Sequence, residues 1–369
     1  MTISTRKTVL AGLAMFGTVA MLSACAQAPA ATNDTNSAAA SDFLPCMVSD
    51  QGGFDDQSFN QLGFEGLNEA ADALGVTPKT VESAAETDYQ SNVQNLVDQG
   101  CNLIVTVGFN LAAATVESAL ANPEVNYAII DNDADLNFDG KVDAPNIKPI
   151  LFDTAPAGFM AGYVAAGYSK TAVVGTYGGL QIPPVTIFMD GFADGVAYYN
   201  EKNGTAVKTI GWDVASQTGS FTGGFVAGVD SLAKAQGLID QNADVLLPVG
   251  GPIFLSAIEA IKSSGKDIAM VGVDADLFET NPAGSSLFLT SILKDIKLAV
   301  SDVVTASGSG TFDVTAYVGT LDNEGVGIAP FHDFESKVSA TISDDVDGIK
   351  AGIIDGSITV ESPASPKQK

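Results

Sequence analysis

Aromatic rings, carboxylates and amides recur in this sequence directly after short apolar runs. Ser49-Asp50 leads into Gly52-Gly-Phe-Asp-Asp56-Gln-Ser-Phe59-Asn60, and further along stand Gly108-Phe109-Asn110, Asp131-Asn-Asp133, Gly178-Gly179, Gly250-Gly251 and Asp274-Ala-Asp276. Rings grip flat faces, and carboxylates accept hydrogen bonds from hydroxyl or ring N–H groups. Such a set suits the holding of a neutral, flat, hydroxylated molecule. It contains no nucleophile–base pair, and no Walker A, GxGxxG, GxSxG or HExxH motif occurs. The single histidine, His332 in Phe331-His-Asp-Phe334, excludes histidine-rich metal sites and leaves one candidate for histidine acid–base catalysis. We therefore expect a binding protein, with neither enzymatic activity nor a cofactor.

Two other features compete for a role. The stretch Asp135-Leu-Asn137-Phe-Asp139-Gly140-Lys-Val-Asp143 matches the first half of a calcium loop. Its twelfth position is Asn146 rather than a bidentate glutamate, so a solvated Asp/Asn turn is the preferred reading and no metal site is assigned. The glycines of Gly175-Thr-Tyr-Gly-Gly179 and Gly250-Gly251 follow apolar runs without a phosphate-binding lysine. They fit tight strand-to-helix turns or backbone lying close to a ligand.

The elements that must carry these residues alternate. Apolar runs at 44–49, 79–82, 102–107, 127–131 and 149–152 read as strands, and a second series lies at 172–177, 207–212, 244–249 and 268–273, with later candidates at 288–292, 314–319 and 326–329. Between them lie amphipathic stretches, one running from plausible caps at Asp55/Asp56 through Phe59, Leu62, Leu67, Ala70 and Leu74 to Gly75, another from Tyr89 to Gln99. The pattern predicts an α/β fold of two Rossmann-like lobes with mainly parallel sheets. No linker separates the series, so the chain should cross between lobes more than once. That is the organisation of the type I periplasmic-binding fold with a multi-strand hinge. We place lobe 1 at 42–155 plus about 275–312, and lobe 2 at 156–274 plus about 313–360.

The start of the chain implies export. Arg6 and Lys7 precede the uncharged run Val9–Ala20, followed by Leu22-Ser23-Ala24-Cys25. Leu-Ser-Ala-Cys resembles the bacterial lipobox, which implies a signal peptide at 1–24, a lipid on Cys25 and a membrane anchor on the extracytoplasmic side. The alternative is an ordinary signal peptide with an incidental cysteine. Residues 25–41 lack large apolar side chains and read as a flexible tether. If the runs that begin at Cys46 and just after Cys101 pair as adjacent parallel strands, these cysteines can bridge in an exported protein; otherwise they are two buried thiols.

Length and composition agree with this picture. The 369 residues suffice for two domains, and 46% hydrophobic with 17% charged residues excludes a wholly disordered chain. A net charge of −27 argues against nucleic acid or a polybasic membrane patch as partners.

The run Ser49-Asp-Gln-Gly-Gly-Phe-Asp-Asp56-Gln-Ser-Phe59-Asn60-Gln-Leu-Gly-Phe-Glu-Gly66 resembles the opening signature of the basic membrane protein family. Further matches, in order, are Tyr127–Asp131, Ala161–Gly167, Pro184–Phe192, Ala243–Gly251, Val271–Asp276 and Leu289–Lys294. The family comprises lipoprotein substrate-binding subunits of ABC importers, including the purine nucleoside receptor. The resemblance implies that Asp56 and Asn60 hydrogen-bond a base, that Phe59 stacks on it, and that Asp274 and Lys294 bind ribose hydroxyls. It also implies a second ring from the other lobe: Phe225 fits best, with Phe221 and Trp212 as competitors. The family's usual acid after that ring is absent, since Val226-Ala-Gly-Val-Asp230 follows, and Asp276 is followed by Leu277. Phe109, Asp131 and Gly250 join the expected ligand site as strand-end residues. The implied function is capture of a nucleoside, purine favoured, by closure of two lobes, for delivery to an ABC permease and its ATPase. A sugar or other flat hydroxylated metabolite is the alternative ligand, and a surface sensor or adhesin without transport is the alternative class.

Overall fold

The computed structural model describes residues 42–367. The expected signal peptide at 1–24, the expected tether at 25–41 and the expected lipid attachment at Cys25 lie outside the described residues.

Fourteen strands are present among the described residues: β1 (Pro45–Val48), β2 (Lys79–Val81), β3 (Leu103–Val107), β4 (Asn126–Ile130), β5 (Ile147–Phe152), β6 (Val173–Gly178), β7 (Lys208–Ile210), β8 (Trp212–Asp213), β9 (Thr218–Gly219), β10 (Val245–Val249), β11 (Ala269–Asp274), β12 (Phe288–Lys294), β13 (Tyr317–Gly319) and β14 (Val326–Ile328). The helices are α1 (Phe59–Leu74), α2 (Tyr89–Asp98), α3 (Ala112–Ala121), α4 (Ala155–Tyr168), α5 (Pro183–Asn203), α6 (Val229–Asp240), α7 (Ile253–Ser264), α8 (Leu277–Thr280), α9 (Ile296–Gly308) and α10 (Ala340–Ile354).

The strands form two six-stranded sheets, ordered β13-β5-β4-β3-β1-β2 and β14-β12-β11-β10-β6-β7, with β8 and β9 in a small hairpin. All pairings in the first sheet are parallel, and in the second only β14 runs antiparallel. Parallel strands covered on both faces must be apolar throughout, and every residue of β1, β3 and β10 is buried. Alternate side chains serve opposite faces. Met47 shares a core with Leu67 of α1 and Val300 of α9, whereas Cys46 and Val48 share another with Val93 and Leu96 of α2. Gly75 stops α1 in the left-handed conformation, φ 69°, its N–H bonding back to Asp72 O. Cys46 and Cys101 form a disulfide with Cα atoms 6.0 Å apart, tying β1 to the entry of β3.

The chain passes between sheets three times, from β5 to α4, from β12 to α9 and from β13 to β14. The expected lobe boundaries are corrected on this point. β12 belongs to the second sheet although 275–312 was assigned to lobe 1, and β13 to the first although 313–360 was assigned to lobe 2. A strand at a crossing is as apolar as its neighbours, so composition does not mark which sheet it joins. The first lobe's returning segment is instead α9 and β13, with α9 packed on α1 so closely that a Cβ on Gly66 would strike Lys297 O. In the second lobe α4 and α5 are pressed together through Gly162 and Gly195, whose absent side chains would meet the backbones of Phe192 and Phe159. This contact fixes the start of α5, which points at the site.

Candidate functional site

The carboxyl ends of the strands from both lobes surround one cleft. Asp56, Phe59, Asn60, Phe109, Asp131, Phe225, Gly250, Asp274 and Lys294 all line it. Sequence reasoning left unassigned Asp50, Phe188, Ile182 and Val185, which line it as well.

The charged centre is Lys294, the last residue of β12. Its Nζ lies 2.6 Å from Asp131 Oδ2 and 3.6 Å from Asp274 Oδ1, with side-chain exposures of 3%, 8% and 6%. Three rings enclose the ammonium: Phe188 at 5.0 Å, Phe59 at 5.2 Å and Phe152 at 5.7 Å from ring centre to Nζ. Asp131 and Asp274 follow or end strands β4 and β11, and both adopt left-handed backbone, φ 65° and 67°. A non-glycine residue held there stores strain, a feature that concentrates where side chains must be aimed. Burial pushes the carboxyl of Asp274 up to about 6, against the pull of Lys294, and burial likewise raises that of Asp131.

The raised value of Asp274 makes stability pH-dependent. A carboxyl with a higher pKa folded than unfolded favours the folded state when protonated. Its contribution is present below the ordinary value of 3.8 and is lost as pH rises through about 6. Relative to the parent, Asp274→Asn should therefore gain unfolding free energy between those limits, measured by urea denaturation at a series of pH values; a difference that stays flat would contradict this.

A second cluster sits at the start of α1. Asp56 Oδ1 accepts the backbone N–H groups of Ser58 and Gln61, both at 3.0 Å, and Oδ2 accepts the backbone N–H and the side-chain amide of Asn60, both at 2.9 Å. It caps the helix from outside, although α1 begins at Phe59 rather than at Asp55/Asp56. Asn60 donates its amide to Asp50 Oδ1 at 2.8 Å as well, and its oxygen accepts Asp50 N–H at 3.2 Å. Asp50 Oδ1 also takes Gly52 N–H at 2.9 Å, while its Oδ2 accepts no hydrogen bond from the described residues. Burial pushes the Asp50 carboxyl up to about 6. Asp56 and Asn60 are thus bound to each other and to backbone, and within this cluster Asp50 keeps an oxygen that accepts no hydrogen bond from the described residues.

Among the candidate second rings, Phe225 lines the cleft. Its ring lies over Gly179 and Gly250, and a Cβ on Gly250 would come within 2.7 Å of it; Gly250 also has φ 140°. This is the close approach the glycine pairs permit. Trp212 is buried, donating Nε1–H to Asp190 at 2.8 Å, and Phe221 stands edge-on to it at 5.9 Å. Neither lines the cleft.

The competing features lie elsewhere. His332 Nε2 is 2.7 Å from Asp276 Oδ2 and its ring stacks on Phe278 at 4.0 Å, but His332 and Asp276 do not line the cleft. Asp276 caps the following helix, accepting Phe278 N–H. In the acidic loop, Asp135 binds the N–H groups of Asp139 and Gly140, and Asp143 binds Leu136 N–H and the Asn137 amide. Among the described residues no group of three His, Cys, Asp or Glu side chains could hold a metal ion, and no helix is long and apolar enough to cross a membrane.

Residues 43–361 match the family model described as ABC transporter substrate-binding protein PnrA-like. The ABC transporter nucleoside-binding protein BmpA of Lactococcus lactis subsp. cremoris is 27% identical, over 97% of this chain and 99% of that protein. Basic membrane protein A of Borreliella burgdorferi is 27% identical, over 86% and 88%. An ABC transporter solute-binding protein from Aeropyrum pernix K1 shares the fold, with TM-score 0.76, 23% identity and coverage of 87% of this chain and 94% of that one. With a family match over nearly the whole described body, this chain belongs to the Bmp family of PnrA-like ABC transporter substrate-binding proteins.

Proposed function

We propose that the protein captures a nucleoside between its lobes and presents it to an ABC permease and ATPase, held at the outer face of the membrane by a lipid on Cys25, without catalysing a reaction. The observation that carries this reading is one cleft flanked by Phe59 from the first lobe and Phe225 from the second, with the Asp131–Lys294–Asp274 group beside them. Two rings suit a planar base, and carboxylates around a lysine suit vicinal hydroxyls, which donate and accept at once. Asp50 Oδ2 is the acceptor for a base N–H, while Asp56 and Asn60 hold Asp50 in place. A guest touching both lobes favours the closed arrangement by its differential contacts.

Phe59→Ala should weaken nucleoside binding by about 5- to 150-fold, the range expected for one base–ring stack, while the folded state persists. Titration calorimetry tests this, and unchanged affinity would remove the ring from the site.

A further inference from the structure

Two segments that do not line the cleft join the lobes directly. Gln57 lies in the first lobe, between cleft-lining Asp56 and the start of α1, and Thr280 and Asn281 close α8 in the second. The Thr280 hydroxyl donates to Gln57 O at 2.7 Å, and the Asn281 side-chain amide donates to Gln57 Oε1 at 2.6 Å. Beside them, the Ser58 hydroxyl donates to Val273 O, in β11, at 2.9 Å. Further along α1, Leu62 packs against the second lobe's core cluster, which includes Leu277 of α8. Gln57, Ser58, Thr280 and Asn281 all lie outside the cleft lining, so these contacts do not need an occupant.

Both sides of the contact are held to shape. Gln57 is a non-glycine residue in left-handed backbone, φ 60°, a conformation that persists only where its surroundings over-determine it. Asp56 Oδ1 fixes that turn by accepting Ser58 N–H at 3.0 Å. On the other side α8 is one turn long, too short to be stable alone. Asp276 caps it, and Asp276 Oδ2 lies 2.7 Å from His332 Nε2, whose ring stacks on Phe278. His332 follows β14, the strand that enters the second lobe at the third crossing, so α8 is braced from the hinge. Asn281 is buried, and its Oδ1 has no hydrogen-bond partner among the described residues. Such an unmet acceptor costs stability, and the one bond its side chain does make reaches the opposite lobe.

We propose that Gln57, Thr280 and Asn281 form a latch that favours the closed arrangement before any ligand arrives, which makes them positioning residues for retention of the occupant. This rests on capture by lobe closure and adds a contribution that the ligand does not supply. A bond made only while the lobes are shut slows their opening. An occupant therefore leaves more slowly, although Gln57 stands outside the lining of its cleft.

The test reads the mature protein in two ways. Distances between spin labels on α2 and α6 report closed and open populations without ligand, and stopped-flow fluorescence of 2-aminopurine riboside reports nucleoside release. Gln57→Ala and Asn281→Ala remove the same hydrogen bond, so each should lower the closed-to-open ratio about 3- to 10-fold and speed release by a similar factor. Combined, they should do little more than either alone, whereas Thr280→Val removes a separate bond and should multiply the effect of either. General loosening of the fold does not produce that pattern. An unchanged ratio in either single variant, or losses that multiply in the Gln57→Ala/Asn281→Ala pair, would overturn the latch. If a calorimetric panel of nucleosides finds none that binds, the nucleoside reading fails, and the ligand-free distances still decide the latch.

Discussion

In a Lys294→Met variant, nucleoside binding should fall below calorimetric detection and unfolding free energy should drop by about 3–5 kcal/mol at neutral pH. Methionine preserves the length of the side chain among Phe59, Phe152 and Phe188, so the effect isolates the charge. Without it, Asp131 and Asp274 face each other across a buried space with no counter-ion. Burial already raises both carboxyls and Lys294 restrains that rise, so removing the lysine lifts them further. The deficit should therefore shrink as pH falls towards about 5, where the carboxyls take up protons, and grow as pH rises. Adding Asp131→Asn to the variant should recover part of the stability, because it removes one unpaired charge. Urea denaturation across pH checks both statements; equal stability of variant and parent at every pH would show that the lysine compensates nothing.

Replacing Cys46 and Cys101 together by alanine should lower stability by about 4 kcal/mol, the loop-closure value for the 55 residues separating them. The bridge joins two strands in the middle of the first sheet, so the loss should appear as earlier unfolding of the first lobe. Because α1 carries Phe59 and packs on that sheet, ligand affinity should fall less than stability does. Under reducing conditions parent and variant should converge. Coincident denaturation curves for the oxidised parent and the variant would overturn the expectation.

Much of this architecture was legible because buried parallel strands must be apolar along their whole length, and the helices between them close with recognisable signals such as Gly75. The crossings were not. Lys294 ends β12 and Asp295 caps α9, yet nothing local records that the two belong to different lobes. The hairpin of β8 and β9 is two residues per strand and leaves no periodicity to detect. Strand-end residues of the site could be found because ligand chemistry in this fold collects there. The division of labour between Asp50, Asp56 and Asn60 could not, since it depends on which hydrogen bonds close in three dimensions. Phe188 sits among Val185, Ile187 and Met189, all buried, and looks like any other packing residue of α5.

The two sheets share one strand order, save that the edge strand β14 runs antiparallel where β13 runs parallel. Counted from the β13 and β14 edges, the third strands carry the left-handed Asp131 and Asp274, and the fourth lead into Gly108 and Gly250, both with φ above 100°. At these strand ends the two lobes offer the cleft similar backbone. The second strands break the likeness, ending in Phe152 on one side and Lys294 on the other. Lys294 is thus a cation at the cleft whose equivalent position in the other sheet is held by an apolar ring.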